Sequence, residues 1–518
     1  MGWSGTFVED LSQSPHDPIF IIDFVNHTHS TGTSTPGQAI TLASHPGYGD
    51  IVGLGLSVAF GGSTLNCHTW QYTAGTCDIT FHSEHANHLT AFVRRGQIVR
   101  VLMGFQGYAT TEFEPVFLGR LQNVIGRSPS WTVKLDDATT LLQTRWSGGS
   151  TIADSFSLFN KVGKATTISS SWSTSDSTMS VASVSSLDKA TGLVGAVKID
   201  NGSDDPFYLH YSGTSSGTIS GITTGKRGTT AANSSSGDVY DVATLYGNPL
   251  DIYLRLLLSD GTGTGTYNIY PAEWGYMIPE EYVDISDVLG QSSASRWSPS
   301  YNIRLYVDDS QTAPYQWLQS WTRLVGYVPV VRQGQFSIRA IQSPNAGSNF
   351  IALDGSLQEI HITDSDIIDL QWSGFHPDFQ VQYQKCSFKK TDGTERNVGA
   401  VATNTFPNEY QLLYDTSDIL WPGNENGIID GVGDQVRYWG LWVPYDLQID
   451  CAGLRLAQLC VGDLVLLTSE QIKASLQEYG AADVWVEREA MVLGIAVDFT
   501  AGMVSLSLGI IPEGSATT

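Results

Sequence analysis

Positive charge is scarce in this sequence. Lysine and arginine number 27 against 52 aspartates and glutamates, the formal net charge is −25, and charged residues make up 15% of the chain. Ordinary soluble domains carry about 25%. A protein that grips phosphate does so with lysines and arginines that displace counterions. This composition excludes a broad basic surface, and with it tight, extended binding of nucleic acid. Cysteine is sparse too. Cys67, Cys77, Cys386, Cys451 and Cys460 are odd in number, scattered, and without Cys-x-x-Cys spacing, so buried free thiols are expected rather than a metal or disulfide framework. No apolar run approaches the ~20 residues that span a bilayer, and no stable membrane insertion is expected. The opening MGWSGTFVEDLSQSP lacks the basic start and apolar run of a secretory signal, which points to synthesis in the cytoplasm.

Glycine (53 residues), serine and threonine fill the gap, beside 41% hydrophobic residues. That is the composition of a turn-rich β protein, and 518 residues suffice for several cores. From Pro18 to about Trp146 the runs PIFIIDFV, ITLA, GLGLSVAF, CDITF, IVRVLMGF, PVFLGRL and WTVKL alternate with Gly, Ser and Pro breaks, the spacing of a sandwich or small barrel. From Thr166 to about Asp241 Ser, Thr and Gly dominate, yet Met179 and Val181, Val194 and Val197, and Tyr208 and Tyr211 recur at strand-like spacing. A small β-domain is expected there rather than a disordered linker.

Helices are expected next. Asn248-Pro249 reads as an N-cap with proline in the first turn. A second helix is expected from Pro279-Glu280-Glu281 through Val288, a third over 311–327, and a hairpin turning at Arg332-Gln333-Gly334. A late helix is expected from Ser469 to Tyr479, capped by Thr468 or Ser469. The expected class is therefore mainly β with an α+β middle: a first β-barrel over 1–155, a small inserted β-domain over 160–245, an α+β part over 246–375 and a second, similar barrel over 376–518.

An internal echo supports the two barrels. Arg95-Gly96-Gln97-Ile98-Val99, Val116-Phe117-Leu118-Gly119 and Trp131-Thr132-Val133-Lys134-Leu135 are answered by Val461-Gly462-Asp463-Leu464-Val465, Met491-Val492-Leu493-Gly494 and Met503-Val504-Ser505-Leu506. Each set is a Gly-polar-apolar-Val strand start, a strand ending in Leu-Gly, and a closing alternating strand. The glycines are expected where a barrel wall bends. A trimer of such chains presents six similar units, which would let a threefold object dock on a sixfold ring.

The run RRGQIVRVLMGFQGY, then EPVFLGRLQNV, then WTVKLDDATTLLQTRW resembles the first barrel of baseplate hub, or tail tip, proteins of long-tailed (siphovirus-like) phages and related gene-transfer particles. The Ser/Thr/Gly block resembles a small β-domain often inserted in these hubs, through Ser177–Ser183, Tyr208-Leu209-His210-Tyr211-Ser212-Gly213, and a shortened turn at Arg227-Gly228-Thr229-Thr230-Ala231-Ala232. Asn248–Ile252 and Trp274–Pro279 resemble the segment that follows. The resemblance runs from about residue 90 onward, and the order of its pieces is its most specific feature. It implies a homotrimeric virion protein closing the tail tube. Its partners would be the distal tail ring protein, the tape measure protein and other tip or fibre proteins, with DNA passing transiently and unspecifically. Larger relatives carry fibronectin-like or peptidoglycan-cutting domains at the C-terminus, and none is expected here, since the sequence stops at Thr518 soon after the second barrel.

Chemical motifs are weak. His82, His85 and His88, with Cys67-His68 upstream, have residue types that suit zinc, but they sit where a polar loop between strands is expected. Gly213-Thr214-Ser215-Ser216-Gly217 matches a nucleophile elbow in letters, without the strand-to-helix setting. Gly261 to Gly265 fits no phosphate loop. Asn424, Glu425, Asn426, Gly427, Asp430 and Asp434 have the wrong spacing for a calcium loop. Glu112 and Glu114 alternate on a strand before Pro115, and a glycosidase would need two carboxyls within ~10 Å. No catalytic, cofactor or metal residue is assigned. A non-enzymatic hub is expected, with an acidic channel wall that repels phosphate; the alternative is a receptor- or carbohydrate-binding tail protein.

Overall fold

A computed structural model describes residues 3–12, 18–25, 40–66, 70–84, 89, 93–143, 164–185, 187, 195–202, 205–226, 229–242, 245–259, 264–267, 275–276, 278–294, 302–305, 314–340, 360–375, 383–389, 395–401, 409–415, 419–420, 445–471 and 488–510. Strands dominate, as composition leads one to expect. Their burial follows the two-residue period of a half-buried sheet. In Thr76–His82, Cys77, Ile79 and Phe81 point inward while Thr76, Thr80 and His82 face out; in Ser130–Asp137 the inward set is Trp131, Val133, Leu135 and Asp137.

Two five-stranded units carry the large sheet. The first comprises Leu54–Asn66, Thr76–His82, Ile98–Gly104, Glu114–Arg127 and Ser130–Asp137; the second comprises Ile367–Phe375, Tyr445–Ala452, Leu464–Thr468, Arg488–Asp498 and Met503–Ile510. With strands counted in chain order, both units lie in the spatial order first, second, fifth, fourth, third. The two walls expected as separate barrels are hydrogen-bonded to each other. Arg488–Asp498 pairs antiparallel with Leu54–Asn66, Gly494 opposite Thr64 and Asp498 opposite Ala59, so one 15-stranded sheet runs through both among the described residues.

The echo is a structural repeat at the level of individual hydrogen bonds. Gly96 N donates to Leu121 O and Leu121 N to Gln97 O, both at 2.8 Å; Gly462 N donates to Val492 O at 2.8 Å and Val492 N to Asp463 O at 2.9 Å. Gln97 Oε1 accepts from Arg94 N at 3.0 Å, and Asp463 Oδ2 accepts from Cys460 N at 2.7 Å. Both glycines take left-handed backbone, φ +84° and +89°, which explains why the sequence places glycine there. Leu121 then pairs with Leu135 and Val492 with Leu508, and each strand slips register at the next step, to Asn123 and to Gly494. One detail of the sequence reading needs correction. The two Leu-Gly strings are not equivalent, because Gly119 precedes Leu121 while Gly494 follows Val492. The closing strands are likewise offset, Leu135 matching Leu508 and not Leu506.

The Ser/Thr/Gly block is folded β-structure around its own core of Trp172, Met179, Val197, Ile199, Phe207, Leu209, Tyr211 and Val239. Its main sheet runs Lys164–Thr167, Asp238–Asp241, Gly195–Asp200, Phe207–Tyr211, Thr223–Lys226.

In the middle part Asn248 caps the helix Pro249–Leu258, its Oδ1 accepting from Leu250 N at 2.9 Å. The expected second helix breaks differently: Glu280–Tyr282 is one 3-10 turn, and the α-helix runs Ile285–Ala294. It starts at Asp284, whose Oδ1 accepts from Asp287 N at 3.1 Å. The third helix spans Pro314–Leu324, followed by the hairpin Tyr327–Arg332 and Gln335–Ala340 with its turn at Gln333-Gly334. The late helix is described only at its start, which follows directly on Ser469, and Asp364 Oδ2 accepts from Glu470 N at 2.9 Å.

Candidate functional site

The sequence motifs gather into no reaction centre. His82 ends its strand on the outer face, opposite Ser130 and Leu54, while His85, His88, Cys67 and His68 lie outside the described residues. Among the described residues no cluster of three or more His, Cys, Asp or Glu side chains could hold a metal ion. Gly213–Gly217 is a hairpin: Gly213–Ser215 runs into a turn at Ser216 and Gly217 and back along Thr218–Ser220, with no helix leaving it. Glu112 Oε2 accepts from Ala109 N at 2.6 Å and Glu114 Oε1 from Ser4 N at 2.9 Å, so both carboxylates hold backbone, one locally and one at the start of the N-terminal helix. Gly261 and residues 424–434 lie outside the described residues. Cys77, Cys451 and Cys460 are free and buried, and burial pushes the Cys460 and Cys451 thiols up to about 12.

Two buried polar clusters that no motif announced stand out, and the first holds the second unit to the middle part. In the first, Asp287 on the Ile285–Ala294 helix meets Arg332 at 2.9 Å and Arg339 at 2.6 Å, both on the hairpin, and accepts from Ser337 Oγ. Arg339 Nε reaches Asp463 Oδ1 at 2.8 Å in the repeated turn of the second unit. Burial alone would raise the Asp287 carboxyl, but Arg339 and Arg332 outweigh it and hold it down at about 2. A buried pair of this kind satisfies desolvated charge more than it adds stability.

The second cluster centres on Asp137, at the end of the first unit's last strand. Thr139 N donates to its Oδ1 at 2.6 Å and Tyr72 Oη to its Oδ2 at 3.3 Å, while Tyr72 Oη also contacts Ser63 Oγ at 3.0 Å. Burial outweighs these hydrogen bonds and pushes the carboxyl up to about 7. A small cavity beside it is bounded by Trp3, Phe117, Gln333, Gly334, Cys460 and Phe499. The hairpin tip thus sits where the two units meet. Gly334 has φ +69°, and a β-carbon there would lie 3.0 Å from Phe117 N.

On the small domain, one register row crosses all five strands: Lys164 opposite Tyr240, Tyr240 opposite Lys198, Lys198 opposite Tyr208, and Tyr208 opposite Lys226. Lys198 Nζ lies 5.5 Å from the centre of the Tyr240 ring. Asp200 and Asp238 share the face one row away.

No family model and no curated protein matches the chain. Among solved structures it is similar to the 43 kDa tail protein of prophage MuSo2 from Shewanella oneidensis, at 9% identity and TM-score 0.38 over 96% of this chain and 99% of that one. It is also similar to prophage tail protein gp18 from Listeria monocytogenes EGD-e, at 8% identity and TM-score 0.38 over 95% and 94%. A chain of the p2 virion baseplate in its activated conformation aligns at 10% identity and TM-score 0.23 over 95% and 98%. All three are described as phage tail or baseplate structures.

Proposed function

We propose that this chain is a non-enzymatic structural protein of a phage-type virion, located in the tail, and that it acts as the baseplate hub closing the tail tube. The observation that carries the reading is the duplicated five-stranded unit, strand order and turn chemistry included, in a chain whose motif order resembles that of tail hubs. Two similar units per chain let a threefold assembly present six similar faces to a sixfold tube. The distal tail ring protein, the tape measure protein and other tip or fibre proteins are the partners this role requires. With a net charge of −25, an acidic inner wall would keep passing DNA from adhering. Light scattering with negative-stain imaging tests the assembly. A ring of three 56.1 kDa chains with a central hole supports the hub, and a monomer at every concentration argues against it.

The Lys-Tyr-Lys-Tyr-Lys row supports a second reading, carbohydrate binding by the small domain. Aromatic faces stack on sugar rings and lysines pair with acidic substituents. An acidic oligosaccharide such as a polygalacturonate hexamer is the probe. Binding that is lost in Lys198→Gln/Lys226→Gln and absent for a neutral dextran oligomer would favour this role, and equal binding by wild type and variant would remove it.

A further inference from the structure

The junction between the two units shows how one copy of the chain joins the next. In the second unit, the N-terminal half of Arg488–Asp498 pairs with Leu464–Thr468, and its C-terminal half pairs with the first strand of the first unit: Gly494 opposite Thr64, Ile495 opposite Ser63, Val497 opposite Phe60, Asp498 opposite Ala59. The equivalent strand of the first unit is Glu114–Arg127. Its N-terminal half pairs with Ile98–Gly104 in the same way. Beyond Leu121, however, that edge has no strand beside it among the described residues. The strand equivalent to Leu54–Asn66 is Ile367–Phe375, which ends the sheet and pairs only with Tyr445–Ala452 among the described residues. One chain therefore carries both halves of a second junction, each without its counterpart among the described residues.

The open edges look like an interface. The edge of Glu114–Arg127 borders a groove of about 460 Å³ lined by Val93, Arg95, Leu121, Asn123, Ile125 and Lys134. In the second unit the corresponding position holds a strand, and a β-carbon on Gly494 would already lie 3.6 Å from Ser63 O. Ile125 on one edge and Ile368 on the other are 47% and 59% exposed, unusual for isoleucines on sheet strands that end without a partner. Arg95 and Lys134 line the groove, Arg127 ends the strand beside it, and Asp369 is on the facing strand.

We infer that a second copy of this chain docks here by strand pairing, the Gln122–Arg127 edge of one copy against Ile367–Phe375 of the next. The partner and the register follow from the repeat. Asp498 corresponds to Arg127, through their partners Met503 and Ser130. Ala59 corresponds to Gln371, through Asp78 opposite Lys134 and Gln448 opposite Ser507. Arg127 of one copy therefore lies opposite Gln371 of its neighbour, and Gly126 opposite Trp372, antiparallel. Asp369 then falls on the diagonal from Arg127, within reach of a long side chain. Such a head-to-tail contact closes into a ring or grows without limit, according to the rotation per step. The strand pairing rests on the repeat alone; a closed ring of three rests on the hub reading.

Cysteine cross-linking of the full chain separates the two claims. Arg127→Cys and Gln371→Cys, both at exposed positions, are made as separate proteins, mixed and mildly oxidised. A two-chain band that appears in the mixture and vanishes on reduction is the expected result. It should be absent from each variant alone, from the unsubstituted chain, and from Arg127→Cys mixed with Ser175→Cys on the small domain. An oligomer by light scattering without this cross-link overturns the strand pairing and leaves the hub reading standing. Neither oligomer nor cross-link overturns both. With both substitutions in one chain, bands that stop at three chains support the ring, whereas an open-ended ladder keeps the pairing and removes the ring.

Discussion

Arg339 Nε donates to Asp463 Oδ1 at 2.8 Å, so the hairpin of the middle part is fastened to the very turn that the two units share in sequence. Asp287 accepts from the other branch of the same guanidinium, at 2.6 Å. Replacing Arg339 by Met keeps much of the packing but strands the buried carboxylate of Asp463 and leaves Asp287 with Arg332 alone. The expected loss is about 3–5 kcal/mol, read as a lowered unfolding midpoint in urea by tryptophan fluorescence. Substituting Asp463→Asn in the same background should recover part of it, since the stranded charge is then gone.

The pH dependence of that network has a definite sign. The Asp287 carboxyl is held at about 2 in the folded protein, below the ~3.9 of a free aspartate. Its contribution to stability is full above about pH 4 and fades as pH falls through about 2. Thermal melts between pH 5 and pH 2 should therefore lose more in the native chain than in Asp287→Asn, whose curve should be flatter in that window.

Asp137 behaves in the opposite sense. Its folded carboxyl stands at about 7, so the folded chain keeps a proton that the unfolded chain releases above about pH 4. The fold then bears a growing penalty from about pH 4 to about pH 7 that levels off above it, amounting to up to about 4 kcal/mol. Asp137→Asn keeps an acceptor for Thr139 N and removes the titration. The difference in melting temperature, variant minus native, should rise across that window; a difference that stays constant with pH would remove the assignment.

Gly96 and Gly462 occupy matching turns in different surroundings. A β-carbon on Gly96 meets nothing within 4 Å, whereas one on Gly462 lies 3.2 Å from both Cβ and Cγ of Arg339. Alanine at either position bears left-handed strain of roughly 1–2 kcal/mol. Gly462→Ala must in addition displace the arginine, so its melting temperature should fall further than that of Gly96→Ala.

Local features of the sequence proved readable and distant ones did not. Asn248-Pro249 announces its helix because the cap is made by adjacent residues, and the Gly-polar-apolar-Val turn repeats because each copy closes within four residues. The Leu-Gly strings misled, since Gly119 and Gly494 do different work. A β-carbon on Gly119 would collide with Asp136 O, while Gly494 leaves room for Ser507. A period of two also fits equally well at an offset of two, which is why Leu135 could be matched to Leu506. Asp287, Arg332, Arg339 and Asp463 form no motif, because only the fold brings them together. Nor does any local signal say that the strand beginning at Leu54 will choose the one ending at Asp498. The expectation of buried thiols does hold for Cys77, Cys451 and Cys460.

That choice sets a schedule for making the protein. Val58 N is satisfied by Thr500 Oγ1, 442 residues further along the chain. At about 5–20 residues per second of synthesis, the strand from Leu54 waits roughly 20–90 seconds beyond the ribosome for its neighbour. Throughout that interval it offers an open edge to any other nascent chain. Pairings this remote also fold slowly once both strands exist. The seam between the oldest and newest parts of the chain therefore cannot close until the strand ending at Asp498 has left the ribosome.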